Sequence, residues 1–212
     1  VIDIVEEIKD KFEEKDLVLG ISAPGLPNEN NTAIAYMPGR MQGLENFNWK
    51  ASLHLPVCVL NDAVAAMVAE ARFGAARKKN NAVMVTLGTG VGGAILIDGK
   101  PYQGAFNKAG HIGHMVIDDE GNCDVTGMPG SLEECIGECT IEKRTGGKFS
   151  TTKEMIIAMR NGDEYAKKVW LKSVRQLAIG LSSITNILSP ESIILGGGIT
   201  EAGTDLFDPL NT

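Results

Sequence analysis

A chain of 212 residues with 43% hydrophobic content can bury one large core or two small ones, which removes any need for disulfide or metal staples. Twenty Lys and Arg against 27 Asp and Glu give a net charge of −7, which argues against a nucleic-acid or anionic-membrane partner. No apolar run approaches the length that spans a bilayer and no signal-peptide pattern is read, so the cytoplasm is the expected compartment.

From Val1 to Glu14, apolar residues at Ile2, Ile4, Val5, Ile8 and Phe12 alternate with acids and lysines, a helical spacing whose solvated face holds Glu6-Glu7 and Glu13-Glu14-Lys15. The pattern is already running at Val1, and a helix starts at Thr200-Glu201 shortly before Thr212, so the chain reads as a fragment. Leu17 to Ser22 reads as a buried strand ended by Ala23-Pro24-Gly25. A polar loop from Leu26 to about Asn48 follows, with Asn28, Asn30, Asn31, Pro38-Gly39 and Gly43; loops this long in a compact domain are usually functional or disordered. Val57 to Leu60 is a short strand, Asn61-Asp62 opens an alanine-rich helix to about Gly74, and Lys78 to Asn81 is a solvated turn.

Val83 to Ile97 is the stretch around which the rest is organised. A β-branched run climbs to Gly88-Thr89-Gly90-Val91-Gly92-Gly93, and a second apolar run leaves directly for a turn at Asp98-Gly99. The letters Gly88-x-Gly90-x-x-Gly93 match the dinucleotide fingerprint, but that motif requires a helix next, and here a strand follows. Two readings remain: a tight hairpin, or a glycine turn whose N–H groups make a nest for phosphate oxygens, with the Thr89 hydroxyl at its tip.

Pro101 to Gly130 is irregular and glycine-rich, and its acidic turn Asp118-Asp119-Glu120-Gly121 lacks the alternate-ligand spacing of a calcium loop. Helices are expected from about Ser131 to Lys143, Thr152 to Arg160, and Asp163 to Ile187 with a soft break at Gly180. Ser192 to Leu195 is a last strand, entering Gly196-Gly197-Gly198. Strands alternating with helices give an α/β class.

Several residues could carry chemistry. Asn61-Asp62 sits where a strand yields to a helix; either side chain could be an N-cap, and the carboxylate could act as general base toward a hydroxyl. Gly196 to Gly198 is either a tight βα turn or a second close-approach site for a phosphate-bearing ligand. His111 and His114 are two of three histidines, and with Cys123, Cys135 and Cys139 nearby a zinc site is a reading to test, although the spacing matches no common zinc pattern. Cys135 and Cys139, four residues apart, read as one face of a helix. The alternative is that the histidines and Glu133 line a pocket for a hydroxyl-rich ligand.

In order along the chain, Ser22-Ala23-Pro24-Gly25, Asn61-Asp62, Leu87-Gly88-Thr89-Gly90-Val91-Gly92-Gly93, Gly110-x-x-Gly113-His114, Gly127-x-x-Gly130-x-Leu132-Glu133 and Leu195-Gly196-Gly197-Gly198-Ile199 together resemble the ROK family of sugar kinases and sugar-sensing repressors. The resemblance implies an actin-like ATPase fold of ribonuclease-H type, with two lobes around a cleft: residues 1–61 as the remainder of an incomplete N-terminal lobe and 62–212 as the C-terminal lobe. It implies an ATP-dependent kinase of a hexose or amino-sugar, with Asp62 as base. Gly25, Asn61, His111, His114 and Glu133 would lie against the sugar, Gly88, Thr89, Gly90, Gly92 and Gly93 against the ATP phosphates, and Gly196, Gly197 and Gly198 near the adenosine. Magnesium would accompany ATP, and a homodimer would be expected. The family's repressor branch, a sugar sensor controlling a DNA-binding head, is the rival.

Three departures qualify the resemblance. The family's N-terminal Asp-x-Gly-Gly-Thr phosphate loop is absent, so this fragment alone is not expected to be a competent kinase. Family kinases often hold structural zinc through the pocket histidine and three cysteines; ungapped counting puts those cysteines at Asp124, Thr126 and Ser131, so only His114 remains and no zinc of the family type is expected. The family's glutamate three residues before that histidine is His111 here, which implies a sugar other than glucose.

Overall fold

A computed structural model describes residues 2–12, 17–37 and 41–211; the expected helical continuation over Glu13-Glu14-Lys15 and the Pro38-Gly39 turn lie outside them. Helix α1 (Ile2–Lys9) is shorter than its sequence pattern, and of the apolar stripe Val5 is buried while Ile4, Ile8 and Phe12 are exposed. The spacing identified the helix but overstated how much of it packs, because Val5 is the residue that reaches the adjoining core.

Strands β1 (Leu19–Ala23) and β4 (Val57–Asn61) pair in parallel, running from Leu19 opposite Val57 to Ala23 opposite Asn61. Between them the expected structureless loop is corrected. β2 (Leu26–Pro27) and β3 (Ile34–Tyr36) form a small antiparallel ribbon, and Trp49–Leu53 is a helix, α2, capped by the Asn48 side chain. Asn28 closes the ribbon by accepting from the Thr32 amide at 2.8 Å, and Ile34 and Leu53 plug the core beneath. These pieces are two to five residues long, too short to display a period.

The second sheet has the order β7-β6-β5-β8, with β5 (Ala82–Leu87), β6 (Val91–Ile97), β7 (Lys100–Tyr102) and β8 (Ser192–Gly196). β5 and β6 are the expected antiparallel hairpin, closing at Leu87 opposite Val91, while β8 lies parallel to β5 with Gly196 opposite Thr86. Parallel pairing delivers the C-terminal ends of β5 and β8 to one sheet edge, so the two glycine turns emerge side by side. Helix α3 (Asp62–Phe73) covers this sheet through Ala63, Val64 and Met67, which meet Ala82, Ala94 and Leu96.

The expected helix over Ser131 to Lys143 is instead α4 (Leu132–Ile136), a 3₁₀ turn (Glu138–Thr140) and α5 (Ile141–Arg144). Gly137 leaves helical geometry at φ −59°, ψ 146°, and a Cβ there would stand 2.8 Å from the Glu133 carbonyl oxygen. Cys135 and Cys139 therefore share no helix face; Cys135 is buried and Cys139 is exposed. α6 (Thr152–Arg160) has the expected bounds. α7 (Glu164–Leu188) runs unbroken through Gly180, which is buried beside Ile117, Leu132 and Met115. Thr200-Glu201 falls in a 3₁₀ turn (Gly198–Ala202), and α8 (Thr204–Leu210) begins after it. The largest core, with Leu87, Leu132, Trp170 and Leu177, lies between this helical layer and the sheet. Among the described residues no helix is long and apolar enough to cross a membrane.

Candidate active site

Asn61 ends β4 and caps α3: its Oδ1 accepts from the Ala63 amide at 3.0 Å, and its Nδ2 donates to the Gly25 carbonyl at 3.1 Å. The side chain thus ties the helix start to the loop after β1. Gly25 itself is required by the fold, since it sits at φ +95° and a Cβ would fall 2.7 Å from the Tyr36 carbonyl oxygen. Asp62 is the first residue of α3 and is exposed; one carboxylate oxygen accepts from the Ala63 amide at 2.9 Å, and the other has no hydrogen-bond partner among the described residues. So Asn61 takes the cap, and Asp62 keeps an oxygen free to accept a proton.

A 3₁₀ turn (Ile112–His114) lays His111 and His114 side by side, ring centroids 6.1 Å apart. Gly113 makes that possible, because any side chain there would strike the Val91 carbonyl of β6. Burial lowers the His111 pKa, with His114 and Lys108 pushing the same way and Asp62 opposing, so His111 is a neutral imidazole at pH 7. His114 Nδ1 lies 2.8 Å from Asp124 Oδ2, while Asp124 Oδ1 accepts from the Thr126 amide and hydroxyl, each at 2.7 Å, and from the Met128 amide at 3.1 Å. Burial by itself would raise the Asp124 carboxyl, but hydrogen bonds from Thr126, His114 and Ser131 hold it well below the usual carboxylate range.

The glycine turn between β5 and β6 is not uniformly open. A Cβ at Gly90 would collide with the Glu133 carboxylate, one at Gly92 would fall 2.5 Å from Thr86 Oγ1, and one at Gly93 would fall 2.6 Å from both the Gly110 carbonyl oxygen and Ile112 Cδ1. Only Gly88 of these four faces open space. Three of the glycines are therefore closely packed against neighbouring protein, Gly93 against backbone. The turn is clamped from beneath: the Glu138 and Cys139 amides donate to the Gly88 and Thr89 carbonyls at 3.0 and 2.8 Å. The Val91 amide donates to the buried carboxylate of Glu133 at 3.0 Å, so one Glu133 oxygen is committed to shaping the turn. The amides of Thr89 and Gly90, at the tip, have no acceptor among the described residues.

Beside Gly88 and Thr89 opens a cleft of about 570 Å³, whose far walls are Gly198, Ile199 and one face of α6. Gly198 is open, Gly196 meets only the Met84 methyl, and Gly197, at φ +94°, has no room for a side chain because it rests on the Leu87 backbone. The α6 wall carries Lys153, Ile156 and Arg160, which sequence reasoning did not single out; an amphipathic helix gives no local sign of what its second face touches. Arg160 is tied to Asp205 at 2.7 Å, whereas Lys153 makes no ion pair among the described residues. Gly92 packs on Ala63 and Gly93 on Ile112, so the stem of the turn carries Asp62 and the histidines while its tip opens to the cleft.

The sequence profile of the ROK family matches residues 1–211. A glucokinase from Halalkalibacterium halodurans is 33% identical over 220 residues, covering 93% of this chain; the chain spans 66% of that relative, just under two thirds of its length. A crystal structure of a ROK family glucokinase from Streptomyces griseus, in complex with glucose and AMPPNP, superposes with a TM-score of 0.77 at 25% identity, covering 99% of this chain and 76% of that one. A ROK family transcriptional regulator, a homologue of the E. coli MLC protein, superposes with a TM-score of 0.81 at 25% identity, covering 99% and 58%. The fold is that of the actin-like ATPases.

Proposed function

Because this chain belongs to the ROK family, we propose that it forms the greater part of an ATP-dependent kinase of a hexose or amino-sugar, with Asp62 as general base. The observation that carries this reading is the position of Asp62: an exposed carboxylate with one unpartnered oxygen, at the start of α3, beside the stem of a turn whose tip opens on a cleft of about 570 Å³. That volume suits a nucleotide. Residues 1–61 belong to one lobe and 62–212 to the other, and the whole protein is a cytoplasmic homodimer.

In this reading the sugar lies between Asn61, His111, His114 and Glu133, with Gly25 held close to it through the Asn61 bond. Asp62 takes the proton of the hydroxyl as its oxygen bonds to the γ-phosphorus and the bond to ADP breaks. The amides of Thr89 and Gly90 cradle the phosphates, Gly88 gives them access, and Gly92 and Gly93 act by letting the stem pack tightly. Gly196, Gly197 and Gly198 border the adenosine together with α6, where Lys153 supplies a cation. Magnesium, arriving with ATP, neutralises charge on the transferred group. His111, neutral and able to give one hydrogen bond and take one, selects a sugar other than glucose.

The test uses the full-length protein, including whatever precedes Val1: ADP release with ATP, magnesium and a panel of hexoses and amino-sugars, with Asp62→Asn as control. Turnover with one sugar, lost in the control, supports the kinase; a control that keeps full turnover removes Asp62 from the role of base. The likeness to a transcriptional regulator favours one second reading, a sugar sensor. Sugar binding by calorimetry without turnover, together with a helix-turn-helix pattern upstream, would select it.

A further inference from the structure

The residues around His114 do not suit a zinc ion. Three thiolates beside the histidine would be needed for a site of the type the family resemblance implies, and the corresponding positions hold a carboxylate and two hydroxyls. The hydrogen-bonding capacity of Asp124 is spent within the protein: its side chain, 1% exposed, takes three donors on one oxygen and His114 on the other, while Ser131 caps α4. Nearby thiols do not substitute. Cys123 is exposed, and Cys135 is buried, donates to the Gly130 carbonyl at 3.7 Å and is pushed up to about 11 by burial, the wrong direction for a thiolate ligand.

We propose that Asp124 is a positioning residue that does by hydrogen bonding what a metal would otherwise do. One carboxylate gathers His114, the Thr126 hydroxyl and the loop amides of Thr126 and Met128. It also selects the tautomer: an ionised carboxylate only accepts, so the neutral form of His114 carries its proton on Nδ1 and leaves Nε2 as an acceptor. Nε2 has no partner among the described residues, which leaves it available to a hydroxyl. That last role rests on the sugar-kinase reading; the tautomer and the absence of zinc do not.

The experiment is nitrogen-15 imidazole NMR of the full-length protein without sugar or nucleotide, with metal analysis of the same sample. The three histidines, His54, His111 and His114, are assigned by substituting each in turn with Gln. His114 is expected in the Nδ1–H form with no stoichiometric zinc. In Asp124→Asn the amide oxygen must stay with the three donors, which turns the amide nitrogen toward His114; the imidazole should then invert to Nε2–H. Thr126→Val removes one donor from the far oxygen and should leave the Nδ1–H form in place. A wild-type Nε2–H signal, one equivalent of zinc, or an unchanged tautomer in a folded Asp124→Asn protein would each overturn the proposal. Should Asp124→Asn fail to fold, the wild-type spectrum and metal content still decide. In the kinase assay Asp124→Asn should raise the sugar KM several-fold with a smaller change in kcat. A wild-type protein inactive on every sugar would count against the kinase alone and leave the NMR result standing.

Discussion

The tip of the Gly88–Gly93 turn and its stem are made of different materials. At the tip the available groups are backbone amides, those of Thr89 and Gly90, with an open Gly88 and clamping bonds from Glu138 and Cys139. Along the stem they are side chains: Asp62, His111 and His114, set in place by Asn61, Asp124 and tight glycine contacts. A backbone site is inseparable from the packing that shapes it, whereas a side-chain site can lose its chemistry and keep its fold.

That contrast orders the expected effects. The largest is Asp62→Asn, which should cut turnover by about 10²–10⁴-fold, the usual contribution of a general base, with an unfolding midpoint close to wild type. A large loss of stability would instead make Asp62 part of the scaffold. Gly93→Ala should do the reverse. Its Cβ meets the Gly110 carbonyl oxygen and Ile112 at 2.6 Å, so overpacking should remove about 1–3 kcal/mol in urea unfolding. Asn61→Ala joins the two categories: losing the α3 cap should remove about 1 kcal/mol, and losing the tie to Gly25 should weaken sugar binding.

Acid probes the histidine side without a mutation. The folded-state pKa of Asp124 is depressed below the unfolded value of about 3.9, so its stabilisation is fully present above that pH and is lost as pH falls through the folded pKa. Thermal unfolding from pH 6 downward should show the loss beginning near pH 4, and Asp124→Asn should flatten that limb. The smallest effect on stability is expected at the open glycine: Gly88→Ala should stay within about 0.5 kcal/mol of wild type while raising the KM for ATP. If Gly88→Ala and Gly93→Ala lose the same stability, the distinction between an open tip and a packed stem fails.

Long periodic or β-branched segments were legible in the letters. The β5–β6 hairpin, α3 from Asp62, α6 and β8 all stand within a residue or two of where sequence patterns put them. Short elements such as β2, β3 and α2 were not, and the Ser131 to Lys143 segment was read as one helix although Gly137 divides it. The shared face assumed for Cys135 and Cys139 went with it. Site residues could be nominated from position and residue type, but α6, which forms a wall of the cleft, carried no local signal.

From the sequence alone came the element types, the α/β class and the short set of polar residues standing where strands end, because propensity, periodicity and turn chemistry act between near neighbours in the chain. Only the tertiary structure decided what each glycine is for and what holds each functional side chain. Glu133 reaches Val91 across 42 residues and Asn61 reaches Gly25 across 36, and Gly93 must be bare because Ile112 rests on it. Such constraints arise between atoms that meet only after the chain has folded, so the pattern of any single stretch does not carry them.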